Sequence, residues 1–289
     1  MVRSISTFGS FHSCLPVLES PCLADEICST SQLFNLVCSL PILEDLTLVN
    51  HGSGDIADDS TIFQPSTVPP LSGALNICLT RGMEPVACQL RELPDGVHFR
   101  KLNLALSLDD DLRCTATIVE ACSGTLESIK IRCPNYSESL QFLPRNCDPL
   151  TSMSALVDPT AGSIDFSKAI RLKEVLFQFQ NFRHAWVALA LETLTTKHTD
   201  FRKVTILMPL IRSSFILSSI RPILGEKSYN QWMDLDRVLI RLWESNAIHV
   251  QVTYCAEIGG GWSSEYIESL FPEMKKRGLL EMGYDRDLF

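Results

Sequence analysis

A short pattern of apolar and polar positions recurs along the chain. In "LEDLTLVN", residues 43–50, a large apolar residue is followed by two polar residues, a branched aliphatic residue, one variable residue and a second large apolar residue. Related stretches occupy 99–106, 126–133, 172–179 and 201–208. Because strand side chains alternate between two faces, the pattern predicts five strands with one buried face. The residues predicted on that face are Leu46, Leu48, Leu102, Leu104, Ile129, Ile131, Val175, Phe177, Val204 and Ile206.

Weaker copies of the pattern predict three further strands. The stretch 75–80 places Leu75, Ile77 and Leu79 on one face, and 247–254 places Val250 and Val252 on one face. Near the beginning of the chain, 2–7 has one clear inward position, Ile5. These copies extend the predicted strands over most of the chain.

Segments with helical spacing separate the predicted strands. They lie at the following positions: 31–40, 83–93, 109–124, 185–197 and 234–245, with a closing helix at 266–278 interrupted at Pro272. Alternating helices and strands favour a parallel sheet. We therefore predict an α/β fold, with a doubly wound α/β domain as the alternative to a repeat array.

The spacing of the strands favours a repeat array. Successive copies of the pattern begin at 99, 126, 172 and 201, in steps of 27, 46 and 29 residues. The first and last steps are close to the length of a leucine-rich repeat. The middle step predicts an insertion or degenerate repeat at 134–170, and the Gly-, Ser-, Pro- and Asp-rich stretch 51–72 predicts a long surface loop. We expect a single domain over residues 1–289.

Several stretches resemble a known family. "LFNLVCSLPILEDLTLVN" resembles a leucine-rich-repeat unit, with Asn50 at the place of that family's asparagine. "GSFHSCLPVL", "IVEACSGTLESIKI" and "TTKHTDFRKVTILMP" resemble the C-terminal region of fungal F-box-type proteins. The resemblance implies an irregular leucine-rich-repeat-like solenoid with a mainly parallel sheet and helices on the outer side. It also implies a region that recognises substrates for a cullin-type ubiquitin ligase.

The F-box itself is not recognisable in this sequence. "SLPILEDL" imitates the opening of an F-box, but its residues belong to the first strong strand pattern. A ligase adaptor is therefore expected as a partner only if an F-box is supplied elsewhere.

Composition narrows the classes of partner. The chain has 45% hydrophobic and 20% charged residues, as in folded proteins, and a net charge of -9, which argues against nucleic acid as a partner. No apolar run approaches the roughly 20 residues that cross a bilayer, and no secretory signal is visible. Eleven irregularly spaced cysteines are a poor disulfide framework. We expect a cytoplasmic or nuclear protein without a membrane partner.

No motif predicts a reaction. The cysteine spacings miss the short pairs of zinc sites, and His184 and His198 are too far apart in sequence to share a helix face. The glycine-rich stretches 51–55 and 259–262 lack the residues of a phosphate-binding loop. The acidic run 109–111 is typical of a helix start. We therefore predict no enzyme activity, no cofactor and no metal.

The polar positions on the second face of the predicted sheet are the candidate protein-binding site. The residues are Thr47, Asn103, Lys130, Arg132, Gln178, Thr205, Gln251 and Thr253. Concave sheet faces of repeat arrays commonly bind proteins, and a merely solvated face is the alternative. Two further alternatives are an enzyme on an ordinary α/β fold, with its site in 51–72 or 255–265, and a degenerate family fragment without a partner.

Overall fold

The computed structural model describes most of the chain as an α/β protein that divides into two compact units. The described residues are 4–7, 29–50, 68–79, 83–94, 96–105, 110–132, 164–178, 185–208, 221–246, 248–254 and 268–284. The first unit comprises Met1–Ile131 and Ile164–Leu172, and the second Arg132–Ser163 and Lys173–Phe289.

The first unit contains a sheet whose strands lie side by side in chain order. The strands are β1 (Ser4–Thr7), β2 (Asp45–Asn50), β3 (Ala74–Leu79), β4 (Lys101–Ala105) and β5 (Ser128–Arg132), the last residue of which falls in the second unit. The pairs β1–β2, β2–β3 and β3–β4 are parallel. Leu46 pairs with Leu75 and Leu75 with Leu102, which keeps the predicted inward residues in one row.

Three helices of the first unit cover one face of this sheet. They are α1 (Thr30–Cys38), α2 (Met83–Arg91) and α3 (Asp110–Cys122), and neighbouring helices pack against each other. The Ser29 hydroxyl caps α1 by accepting a hydrogen bond from the Gln32 backbone N–H at 3.3 Å. Each helix buries its apolar stripe, as Leu33, Val86 and Val119 illustrate. The predicted helices at 31–40, 83–93 and 109–124 are therefore confirmed.

The second unit has the same alternation. Its strands β6 (Glu174–Gln178), β7 (Lys203–Met208), β8 (His249–Tyr254) and β9 (Glu281–Tyr284) also lie in chain order, and all three pairs are parallel. Its helices are α4 (Ala185–Glu192), α5 (Arg221–Asn246) and α6 (Pro272–Lys276). Helix α5 packs against both α4 and α6.

The repeated apolar pattern accounts for the core of both units. All fifteen apolar positions of the five strong copies are at most 1% exposed. The polar pair of each copy forms the entry to its strand. For example, the Gly73 carbonyl accepts hydrogen bonds from the backbone N–H groups of Arg100 (2.9 Å) and Lys101 (3.2 Å).

The same entry arrangement recurs in the second unit. The Lys173 carbonyl accepts hydrogen bonds from the backbone N–H groups of Arg202 and Lys203 at 2.8 and 3.2 Å. The repeated sequence pattern is thus also a repeated hydrogen-bond pattern, and the predicted α/β class with a parallel sheet is confirmed.

Three features differ from the sequence expectations or extend them. Helix α5 begins well before the predicted 234–245 segment, and β9 was not predicted. The predicted interruption at Pro272 is present: residues 268–270 are helical, Phe271 is not, and Pro272 begins α6, because a proline at the first helical position loses no intrahelical hydrogen bond.

The predicted loop and insertion fall mostly outside the described residues. These are 51–67 of the loop and 134–163 of the insertion. The end of the loop segment buries Leu71 completely, at a left-handed φ of 40°. Among the helices in the described part of the chain, none is long and apolar enough to cross a membrane.

Candidate protein-binding face

The first unit presents a polar sheet surface opposite its helices. We call it the polar face and define it by Asp45, Thr47, Asn76, Lys101, Asn103 and Lys130. Along β4 and β5 the buried positions alternate with half-buried or exposed ones, so these side chains lie opposite the core residues. The predicted positions Thr47, Asn103 and Lys130 are half-buried. Arg132 at the end of β5 is exposed.

An amide ladder crosses three strands of the polar face. Thr47 pairs in register with Asn76, and Asn76 with Asn103. The Asn103 side-chain N–H donates to the Asn76 amide oxygen at 2.5 Å, and the Asn76 N–H donates to the Thr47 hydroxyl at 3.0 Å. The three side chains come from positions 29 and 27 residues apart. The ladder therefore depends on the sheet register and holds three polar groups in one line.

The sequence analysis omitted three residues of the polar face, Asp45, Asn76 and Lys101, and Asn76 is the one that forms part of the ladder. Its neighbours Leu75 and Ile77 were both predicted to point inward, and both are buried. The same alternation places Asn76 on the opposite face, so the signal was available in the sequence.

The first row of the polar face contains a close backbone contact. The Asp45 carboxylate accepts a hydrogen bond from the Ala74 backbone N–H at 2.6 Å. A Cβ atom added to Gly73 would lie 2.2 Å from Asp45 Oδ1 and 3.2 Å from the Glu44 carbonyl oxygen. The glycine therefore leaves the space in which Asp45 holds the start of β3.

Changing Gly73 to Ala is expected to lower the free energy of unfolding of the first unit by about 2 kcal/mol, because the new methyl group displaces Asp45 and breaks its hydrogen bond. Gly124→Ala is the matched control, since a Cβ there meets nothing within 4 Å. Urea unfolding followed by circular dichroism measures both variants. In the double variant with Asp45→Ala, the added cost of Gly73→Ala should shrink. An equal cost in both backgrounds would contradict the proposed contact.

The strands β4 and β5 and their entries carry cationic side chains. Arg100 and Lys101 are exposed at the entry to β4, and neither forms an ion pair with another described residue. Lys130 lies on β5, the neighbouring strand. The acids at the same strand entries are Glu44, Asp45, whose carboxylate also accepts a hydrogen bond from the Ala74 N–H, and Glu127, which precedes β5.

The predicted site residues of the second unit are less accessible. Gln178 and Gln251 are half-buried, whereas Thr205 and Thr253 are only 8% and 5% exposed. Thr205 and Gln251 are register partners, and Leu176 completes their row. This part of the predicted face therefore offers two amides, while its two hydroxyls are buried.

A groove of about 400 Å³ lies between α4 and α5 in the second unit. Three of the charged side chains that line it form hydrogen bonds. Arg237 forms an ion pair with Asp234 at 2.6 Å, and Arg241 donates to the Leu191 carbonyl at 3.2 Å, at the end of α4. The groove walls include the small residues Ala185 and Ala188. The arrangement shows helix packing and capping, and it brings no nucleophile and base together.

His198 and Cys122 are buried and have structural surroundings. His198 is completely buried, and its Nδ1 lies 3.0 Å from the Thr195 backbone nitrogen within the turn before β7. Burial raises the pKa of the Cys122 thiol to about 12, which keeps it protonated and unreactive. Within the described ranges, no three His, Cys, Asp or Glu residues are grouped as metal ligands. His184 and the side chains of the acidic run 109–111 lie outside the described residues.

We found no relative of this chain among known proteins. No family model, no curated protein and no solved structure matches the chain significantly.

Proposed function

We propose that this chain is a protein-binding repeat module and that the polar face is its main recognition surface. The observation that carries the proposal is the Thr47–Asn76–Asn103 ladder, which lines up hydrogen-bonding groups on a sheet face opposite the helices. Such a surface suits recognition by shape and hydrogen bonds. It contains no arrangement suited to catalysis.

The strand order supports an irregular leucine-rich-repeat-like solenoid. Within each unit, every new strand is added beside the preceding one in chain order. A doubly wound domain would instead reverse its strand order at a switch point. The ladder residues are 29 and 27 residues apart, close to the length of one such repeat. The repeated hydrogen bonds at Gly73 and Lys173 point the same way.

The resemblance to F-box-type proteins suggests a cellular role. We propose that the chain recognises substrates for a ubiquitin ligase in the cytoplasm or nucleus, with the chemistry carried out by other subunits. Binding of a ligase adaptor requires an F-box supplied elsewhere.

The test is affinity purification of the chain from its source cells, followed by quantitative mass spectrometry. Wild type is compared with an Asn76→Ala, Asn103→Ala double variant and with Thr117→Ala as a control on α3. Thr117 is matched because it is also polar and half-buried, and its hydroxyl bonds only within its own helix, to the Arg113 carbonyl. A protein that is lost from the ladder variant and kept by the control supports a receptor surface.

The alternatives predict different results. If the same proteins bind all three forms, or none binds, the polar face is not a receptor surface. A degenerate fragment would give no specific partner at all. An enzyme with a site in 51–72 or 255–265 would keep its activity in the ladder variant.

A further inference from the structure

We propose that Asn103 is the residue of the polar face that selects the partner, and that it does so by hydrogen bonding to a peptide group of an extended partner segment. This inference rests on the proposed function, and it names the residue and the partner group that decide recognition. It comes from the position of Asn103 at the end of the amide ladder.

The ladder uses the hydrogen-bonding groups of its two amides unequally. A primary amide has two N–H donors and one oxygen that can accept twice. Asn76 uses one N–H, which donates to Thr47, and its oxygen, which accepts from Asn103. Asn103 uses only one N–H, and it has no further hydrogen-bond partner among the described residues. Asn103 therefore keeps its whole oxygen together with a second donor.

The free groups of Asn103 are accessible and held in place. Its side-chain oxygen has no partner in the described part of the chain and is not a buried atom, so solvent reaches it. The next residue on the same face of β4 is Ala105, which carries only a methyl group. The bond from Asn103 to Asn76 fixes the amide before a partner arrives. Groups that are already ordered lose less entropy on binding.

A peptide group is the partner group that matches a donor and an acceptor on one side chain. Each non-proline residue of an extended segment offers one N–H and one C=O. A carboxylate only accepts hydrogen bonds and would use the donor of Asn103 alone, whereas an ammonium group only donates and would use the oxygen alone. The amide of Asn103 therefore favours an uncharged peptide group over either kind of charged side chain.

The experiment begins with a selection of displayed random peptides on the immobilised full chain. In a selected peptide, single peptide groups are then replaced by esters, which lack the N–H and have a weaker acceptor oxygen. Dissociation constants of the peptide and its esters are measured for wild type, Asn103→Ala and Asn76→Ala, with Thr117→Ala as the control on α3. Circular dichroism verifies that the variants are folded. The ester scan on wild type needs no change in the protein and so does not depend on the folding of any variant.

We expect Asn103→Ala to weaken binding of the selected peptide about tenfold, the effect of losing one or two hydrogen bonds. Asn76→Ala should weaken it only about threefold, because it removes the bond that orients Asn103 and leaves the groups of Asn103 in place. Thr117→Ala should change it less than about twofold. One ester should weaken binding to wild type about tenfold and have little further effect on Asn103→Ala, since coupled partners are not additive.

The other outcomes separate this inference from the proposed function. If no ester weakens binding to wild type, or none is coupled to Asn103, the role of Asn103 is overturned. The proposed function still stands in that case if Asn76→Ala or Asn103→Ala weakens binding. Peptides that bind every variant as tightly as wild type, or a selection that yields none, would overturn both.

Discussion

Replacing Phe177 with Ala is expected to lower the free energy of unfolding of the second unit by about 4 kcal/mol, the loss typical of a buried phenylalanine. Phe177 is the last of the three apolar residues of its copy of the pattern and is completely buried. Its ring meets Trp186 of α4 edge to face, with the ring centroids 5.5 Å apart. Such a pair adds about 1 kcal/mol beyond the buried area. The substitution therefore removes both a strand-to-helix contact and core volume.

Leu176→Ala is the matched control for Phe177→Ala. Leu176 is the preceding residue of the same strand, but it lies on the opposite face and is only half-buried. Its loss should cost about 1 kcal/mol, in proportion to the smaller buried area. Equal losses at 176 and 177 would contradict the assignment of the two faces. Phe177→Leu should lie between the two Ala variants, because it retains most of the buried volume.

The positions of the tryptophans and tyrosines allow the unfolding of the second unit to be followed separately by fluorescence. All four tryptophans and all five tyrosines belong to the second unit's part of the sequence. Intrinsic fluorescence during urea unfolding therefore follows that unit, and circular dichroism follows both. A change in the fluorescence transition of the Phe177→Ala variant then assigns the lost stability to the second unit.

The strands were predictable because their signal is local. Alternation around Leu102 and Leu104 defines a buried face without knowledge of any partner strand, and the same alternation assigns Asn103 to the other face. Strand β9, Glu281–Tyr284, was missed because four residues carry too few alternations to stand out. Helix α5 was predicted too short because its apolar periodicity is clear only in its second half, around Val238 and Leu242.

The sequence predicted on which face of the sheet the site residues lie, but it did not predict which of them contact one another. The alternation of side chains along each strand placed Thr47 and Asn103 on the correct face. The hydrogen bonds of the ladder, however, depend on which residues of neighbouring strands are in register. The same alternation also predicted accessible hydroxyls at Thr205 and Thr253. That prediction was wrong, because both residues are buried. Side-chain exposure depends on the surroundings of a whole strand, which alternation within that strand does not report.

The role of Asp236 had no local signal in the sequence. This residue of α5 is 1% exposed, and its carboxylate accepts hydrogen bonds from the backbone N–H groups of Glu273 at 2.8 Å and Met274 at 3.1 Å. Helix α6 has no cap from its own preceding residue, Phe271. Asp236 thus caps α6 from 37 residues away. Only the packing of α5 against α6 creates this contact.

Replacing Asp236 with Ala is expected to lower the free energy of unfolding by about 3 kcal/mol. The change leaves the Met274 N–H buried without its acceptor, and bonds to a charged acceptor are stronger than neutral ones. Asp234→Ala is the control on the same helix, because Asp234 forms an exposed ion pair with Arg237. Its loss should cost less than about 1 kcal/mol. A similar cost for both substitutions in urea unfolding would contradict the capping role.

The pH dependence of the Asp236 contribution has a defined sign. Burial raises the pKa of this carboxyl above its ordinary value of 3.8, a rise that the two backbone hydrogen bonds partly oppose. A raised pKa in the folded state means that the folded protein holds this proton more tightly than the unfolded chain. The contribution is therefore fully present below 3.8 and is lost as the pH rises through the folded-state pKa.

Asp236→Asn separates this effect from the capping bonds, because the amide does not titrate and still offers one oxygen as an acceptor. The stability advantage of wild type over this variant should decrease from acidic to neutral pH. Urea unfolding of both proteins across that range measures the difference, and titrations common to both cancel. An advantage that grows with pH would show that the hydrogen bonds to Glu273 and Met274 outweigh burial in setting the pKa. The backbone N–H groups at the start of α6 would then stabilise the charged carboxylate of Asp236 by more than burial destabilises it.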